Sequence, residues 1–220
     1  MSLNILYQDE WIVAVDKPAG QLVHPADHPK PDDEVTMKIL RDQLGQPVET
    51  IHRLDRPTTG VLLFGLCKSA AKSLRQSFEK QQVSKKYLAL VFGIPSLQKW
   101  ICETSLRKTE DSPSKSAITE FTKIESLGED FSLIEARPKT GRFHQIRRHL
   151  LDCGHPIVGD YRYAGIERCD ETSALLNIET RMLLQASEIK FPHPITGKNT
   201  TITAPLDPAF PIARNTLLPD

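Results

Sequence analysis

The sequence predicts an α+β fold, mixed α/β in content, around a mixed and mostly antiparallel central sheet with flanking helices. Three observations carry this. Short apolar runs bounded by Gly and Pro recur at hairpin-like spacing, a few segments repeat apolar residues with helical period, and the two kinds of segment do not alternate as a regular βαβ series.

The first residues lead into a strand-like pattern, and 12–15 (Ile-Val-Ala-Val) reads as a short buried strand that Lys17-Pro18-Ala19-Gly20 ends, because Pro cannot donate to a ladder. Residues 32–44 read as a helix with Asp32 or Asp33 as N-cap, Val35, Ile39 and Leu40 on its apolar face, and Gly45 past its last turn. A buried strand follows at 60–64. Ala71, Leu74 and Phe78 then recur at helical spacing over 69–82, with Lys68, Lys72 and Arg75 beside them. Residues 86–93 form a strand with Tyr87 near its start, and 103–116 form a long turn or flexible hairpin. Further strands are predicted at 117–125, 131–137, 181–191 and 199–204. Between them, 140–150 begins as a turn and continues as a helix that Gly154 stops.

A chain of 220 residues supports one sizeable core, and a single domain over 1–220 is the expectation, with two lobes sharing one sheet as the other arrangement. Apolar residues at 39% and charged residues at 25% exclude a disordered class. No apolar run is long enough to cross a bilayer and no basic leader precedes the first strand, so a cytoplasmic protein with no membrane partner is expected. The four cysteines are widely spaced without a Cys-x-x-Cys pair, and no His-Glu-x-x-His run occurs, so reduced thiols and no metal are expected. Nucleotide-binding glycine motifs and a Gly-x-Ser-x-Gly elbow are also absent, which disfavours nucleotide cofactors and serine hydrolysis.

Lys plus Arg and Asp plus Glu balance at 28 each, so a polyanion-binding protein would have to segregate its charge. Two stretches show signs of this, although a solvated helix face explains the first equally well. Residues 67–86 hold six basic residues against Glu79 alone, and 137–149 hold Arg137, Lys139, Arg142, Arg147 and Arg148 with no acid.

The run His52-Arg53-Leu54-Asp55-Arg56-Pro57-Thr58-Thr59-Gly60 places one carboxylate between two arginines at a forced turn. Such an aspartate is expected to stay ionised, as a candidate nucleophile or base, although Asp and Pro also favour ordinary solvated turns. The helix after Thr140-Gly141-Arg142-Phe143-His144 bears on the choice. At about 100° per residue, Phe143, Ile146 and Leu150 share a face and Arg147 lies at its edge, whereas Arg148 points away. A guanidinium at least half buried needs a carboxylate, for which Asp55 is the natural candidate, the other reading being an arginine that extends its aliphatic stem to solvent.

Taken together, these segments resemble the pseudouridine synthase family typified by the bacterial large-ribosomal-subunit enzymes A, C and D. Four ordered blocks carry the resemblance: Lys17-Pro18-Ala19-Gly20 with Val23-His24-Pro25; residues 52–60; Lys86-Tyr87-Leu88-Ala89-Leu90-Val91-Phe92-Gly93; and 140–150 followed by Gly154-His155-Pro156-Ile157-Val158-Gly159-Asp160. The match looks nearest to tRNA-modifying members, through Ile5-Leu6-Tyr7-Gln8-Asp9-Glu10-Trp11, Arg41-Asp42-Gln43-Leu44-Gly45-Gln46 and the doubled Arg147-Arg148. Those members modify a uridine where the T-stem meets the acceptor stem.

The resemblance implies a pseudouridine synthase fold with a central RNA-binding cleft, no small N-terminal RNA-binding domain, no cofactor and a monomeric state. It implies Asp55 as the catalytic aspartate, Arg147 as its partner and Tyr87 as the tyrosine that stacks on the uracil. It further implies Arg53 as the arginine that enters the RNA stack when the base leaves, and Leu184 as a residue lining the uracil pocket. Arg142, His144, Arg148 and Lys17, from the same blocks, are expected to contact RNA. Thr59 stands where Ser is common, and Gln185 where His usually precedes Ala186. The rival readings are a ribosomal RNA substrate, a non-catalytic RNA-binding module, and a metal-dependent phosphodiesterase built on Asp55, Asp160 and His155.

Overall fold

The computed structural model describes residues 2–26, 28 and 30–218. In chain order the elements are β1 (Asn4–Gln8), β2 (Ile12–Lys17), α1 (Thr36–Leu44), β3 (Glu49–Thr50), β4 (Thr59–Gly65), α2 (Lys68–Glu79), β5 (Ser84–Phe92), β6 (Lys99–Cys102), β7 (Thr119–Leu127), β8 (Phe131–Pro138), α3 (Gln145–Asp152), α4 (Ile166–Leu176), β9 (Leu184–Pro192), β10 (Asn199–Thr203) and α5 (Ala209–Leu217). The fold is the expected mixture of helices and mostly antiparallel strands. Its residues group into two compact units, the first up to Lys85 together with Ala186–Pro205, the second Lys86–Gln185 together with the residues from Leu206 onward.

In the first unit the strand order is β1-β2-β4-β9, with β10 beside β9 and β3 beside β4. Ile12, Val13, Ala14 and Val15 are fully buried and β4 is buried along its whole length, which is why both read as continuous apolar runs rather than alternating ones. Helix α2 packs Ala70 and Leu74 into a core with Ile12, Ala14, Val61, Leu63 and Phe191. Helix α1 starts later than expected, at Thr36, and its N-cap is the extended Val35 with no side-chain cap. Neither Asp32 nor Asp33 caps it: Asp33 instead accepts the Lys30 N–H at 2.8 Å and pairs with Arg56 at 3.0 Å. Gly45 ends the helix in the left-handed region, as its position predicts.

Gly60, where β4 leaves the Asp55 turn, has φ +99°, and a Cβ there would lie 2.2 Å from the Ala186 carbonyl oxygen. Gly60→Ala is therefore expected to destabilise the protein by more than ~3 kcal/mol, combining strained φ with backbone overlap. A thermal melt of the variant checks this, and a midpoint unchanged from the parent would contradict the packing.

The second unit orders its strands β5-β8-β7-β6, with antiparallel registers such as Tyr87↔Ala136 and Trp100↔Phe121. One core cluster gathers Ala89, Val91, Phe121, Ile134, Ile146, Leu150 and Leu184, with Tyr87 packed against it; another joins β5 and β8 to α4 and α5. No helix among the described residues is long and apolar enough to cross a membrane.

Candidate active site

In the first unit the catalytic candidate stands on a closed turn, where the Thr58 N–H donates to the Asp55 carbonyl at 3.0 Å. Asp55 is half-buried and Arg53 is exposed. Arg56 is tied down: its Nε donates to the Gly20 carbonyl at 2.8 Å while Nη1 meets Asp33. His52 braces the approach to the turn. Its Nε2 accepts the Leu63 N–H at 3.1 Å, its ring stacks on Phe78, and burial, aided by the Lys85 charge, pulls its imidazole down to about 3, so it stays neutral.

Lys17 corrects one expectation. It is fully buried, and its ammonium donates to the carbonyls of Pro18, Arg56 and Thr58 at 2.9, 3.0 and 2.9 Å, so it holds the Asp55 turn from beneath instead of reaching RNA. Burial pulls its ammonium from 10.5 down to about 7, opposed by the negative charge of Asp55 and reinforced by Arg56. An ammonium serves all three carbonyls and an amine only two, so burial and the held turn pull in opposite directions.

Between about 7 and 10.5 the folded side chain has released a proton that the unfolded chain keeps, so this group makes stability rise with pH across that window, by at most ~1.4 kcal/mol per pH unit. Below pH 7 both states hold the proton and the slope vanishes. Lys17→Met should remove that slope and cost about 1–3 kcal/mol at pH 7 through carbonyls left unpaired. Urea midpoints at pH 7 and pH 9, parent against variant, measure it; equal slopes in the two proteins would count against the assignment.

In the second unit, helix α3 buries Ile146 and Leu150, and Arg147 beside them is only 6% exposed. Its guanidinium is gripped side-on by Asp160, Nε to Oδ2 at 2.7 Å and Nη2 to Oδ1 at 2.8 Å. Within this unit Asp160 thus supplies a buried carboxylate to Arg147, a partner that the sequence does not announce. Fork geometry of this kind fixes the guanidinium plane as well as its charge. The ring of Tyr163 lies 5.0 Å from the Arg147 guanidinium carbon. Tyr87 is half-buried and packs against the cluster that contains Leu184, itself 3% exposed.

Helix α3 is set by a buried polar network. Gln145 Nε2 donates to Thr119 Oγ1 at 2.9 Å and to the Ile118 carbonyl at 3.0 Å, while its Oε1 accepts the Arg142 N–H and the Thr140 hydroxyl. His149, fully buried, meets Thr119 Oγ1 through Nδ1 and donates through Nε2 to the Thr104 carbonyl, each at 2.9 Å. That acceptor fixes the Nε2–H tautomer, and burial lowers the pKa of the ring.

Arg142 and Arg148 point into the same neighbourhood. Arg142 Nε donates to the Ser116 carbonyl at 2.9 Å and Arg148 Nη1 to the Arg107 carbonyl at 2.6 Å, so both anchor the 104–116 hairpin. Arg142 is exposed, and Arg148 and His144 are half-buried. Gln185 is buried and accepts the Asp207 N–H at 3.2 Å.

Each unit therefore assembles part of the expected set: Asp55, Arg53 and Lys17 around one turn, and Tyr87, Leu184, Arg142, His144, Arg147 and Arg148 on and around α3 and its neighbouring strands. Sequence reasoning missed Asp160 as a partner of Arg147, and missed Tyr163 and the Gln145–Thr119–His149 network. The available signal for Asp160 was an acid closing the apolar stretch Ile157-Val158-Gly159. His155, considered with Asp160 for metal binding, lies with Nδ1 at 3.1 Å from the Phe92 carbonyl, and no cluster of metal-ligating side chains occurs among the described residues.

The family profile described as RNA pseudouridylate synthase matches residues 11–152. The tRNA pseudouridine synthase C of Salmonella typhi is 38% identical over 230 residues, covering 93% of this chain and 86% of that protein. Its namesake from Pasteurella multocida is 38% identical over 226 residues, covering 94% and 93%. Among solved structures, human RNA pseudouridylate synthase domain containing 4 superimposes with a TM-score of 0.79 at 24% identity, covering 97% of this chain and 92% of that one. Human RNA pseudouridylate synthase domain containing 1 gives 0.77 at 25% identity, covering 94% and 84%.

Proposed function

The chain belongs to the RNA pseudouridylate synthase family and is an isomerase of that class, and from this premise we propose that it converts a uridine of transfer RNA to pseudouridine, with Asp55 as the catalytic carboxylate. The observation that carries the reading is the match over residues 11–152, which takes in the Lys17-braced turn of Asp55 and the helix of Arg147. The transfer RNA preference rests on the bacterial relatives, which resemble this chain over nearly its whole length.

The reaction breaks the bond from uracil N1 to ribose C1′, turns the base, and joins C5 to C1′; C5 releases its hydrogen as a proton and N1 takes one up, so the product is an isomer of the substrate. Attack on the sugar, attack on the base and removal of a ribose proton are three routes, and each asks the same of Asp55: an anionic oxygen at the sugar–base junction. Arg147, oriented by Asp160, supplies fixed positive charge. Tyr87, with Leu184 in its cluster, holds the detached uracil, and rebonding at C5 depends on that retention. Because a stacked uridine is out of reach, the nucleotide leaves its helix, and the exposed Arg53 takes its place. Nothing external is consumed, so the proposal includes no cofactor. The protein acts as a cytoplasmic monomer.

Carbodiimide treatment and primer extension on RNA from a strain lacking this chain test the proposal. One tRNA pseudouridine, at the junction of T-stem and acceptor stem, should be missing. Loss confined to ribosomal RNA would replace the substrate, and no loss anywhere would remove the activity. Purified enzyme should keep its rate in excess chelator, whereas chelator-sensitive strand cleavage would favour phosphodiester hydrolysis.

A further inference from the structure

Phe143 and His144 are consecutive residues, yet their rings stack with centroids 3.7 Å apart and planes 20° from parallel. Neighbouring side chains ordinarily point apart in strands and helices alike. They meet here because His144 sits in the left-handed region, at φ 51° and ψ 32°, a conformation that costs a non-glycine residue on the order of 1 kcal/mol. The arrangement is held from behind: Tyr163 meets the His144 ring edge-on at 5.8 Å, and its hydroxyl lies 3.0 Å from His144 Nδ1. All three rings are half-buried, and exposed arginines flank them, Arg142 just before Phe143 and Arg162 with its guanidinium carbon 5.7 Å from the Tyr163 ring. Arg142 also donates through Nε to the Ser116 carbonyl, which fixes where its charge lies.

A strained residue that brings two rings face to face at the surface, between two cations, is suited to a flat aromatic ligand on an anionic chain. We propose that the Phe143–His144 stack is a platform for an unpaired base of the substrate RNA other than the target uracil. The base lies on the outer face of Phe143, and Arg142 and Arg162 meet the phosphates on either side of it. The proposal rests on the RNA-modifying function above and adds a second base-binding position to it.

The test uses the full chain carrying Asp55→Asn, so that binding is read without turnover, and a transcript of the tRNA that the parent modifies. Phe143→Leu, which keeps an apolar side chain but removes the ring face, should weaken binding about tenfold, the loss expected for one base–aromatic stack. Phe143→Tyr should restore affinity to within about twofold of the parent, since the ring face is what binds. Phe143→Trp should add an indole emission that the RNA quenches. Arg162→Ala, at an exposed position, should lower the salt dependence of log K by about one unit. Equal affinities for the Leu, Tyr and parent proteins, or an added indole emission that RNA leaves unchanged, would overturn the platform while leaving pseudouridine formation intact. Failure of the unsubstituted enzyme to form pseudouridine would instead overturn the function on which it rests.

Discussion

Asp55→Asn is expected to lower pseudouridine formation by at least ~10³-fold while RNA affinity stays near the parent value. Asn keeps the size of the side chain, and the interaction that closes its turn, Thr58 N–H to the residue 55 carbonyl, belongs to the backbone. What disappears is the anionic oxygen. Release of tritium from C5-labelled uridine in the tRNA substrate measures the loss, since C5 gives up its hydrogen when the new bond forms. Turnover within tenfold of the parent would strip Asp55 of its role. Bound RNA with no turnover separates this outcome from misfolding.

The second large effect is expected at Asp160. Its carboxylate is buried with Arg147, at side-chain exposures of 1% and 7%, and occupies Nε and Nη2 of the guanidinium. Asp160→Ala removes this acid and leaves the cation in place, a change that costs about 3–5 kcal/mol because a buried, two-point ion pair is broken from one side. For a chain of this size that corresponds to a drop in melting temperature of roughly 10 °C. Activity should fall with it, since the guanidinium loses its fixed plane. Replacing both residues, Asp160→Leu with Arg147→Met, should recover much of the stability and none of the activity, which separates the structural part from the chemical one. Differential scanning calorimetry with the tritium assay reads both, and a recovered rate in the double variant would show that the pair serves the fold alone.

Much of the architecture is legible in the residues because burial wrote it there. Strands β2, β4 and β5 carry apolar runs between Gly and Pro, and α2 places Ala71 and Leu74 on one face. Elsewhere the pattern is too weak to read. Strand β6 points Ile101 to solvent at 59% exposure, so its four residues show no apolar outer boundary. Helix α4 exposes Ile166 and Leu175 at 67% and 59% while burying Cys169 and Leu176, which blurs its stripe. Helix α5 follows Pro208 and carries Pro211 in its first turn, where a missing N–H is tolerated but a reader of sequence sees a breaker.

The site divides in the same way. The residues proposed to carry the chemistry, Asp55, Tyr87 and Arg147, stand in distinctive local strings. Their supports do not. Lys17 looks like a surface cation in a Lys-Pro turn, and only the register Lys17↔Gly60 shows why its ammonium ends under the turn of Asp55. Asp160 and Thr119 lie 13 and 26 residues or more from the side chains they hold, separations that local periodicity does not span.

The grip of Lys17 on three peptide oxygens bears on how the enzyme meets its RNA. A loop that had to be ordered by the incoming nucleotide would surrender chain entropy at each encounter, on the order of 1 kcal/mol for every residue stilled. Here that freedom is already gone in the resting protein, so the attraction between protein and RNA remains available for prying a nucleotide from its stack.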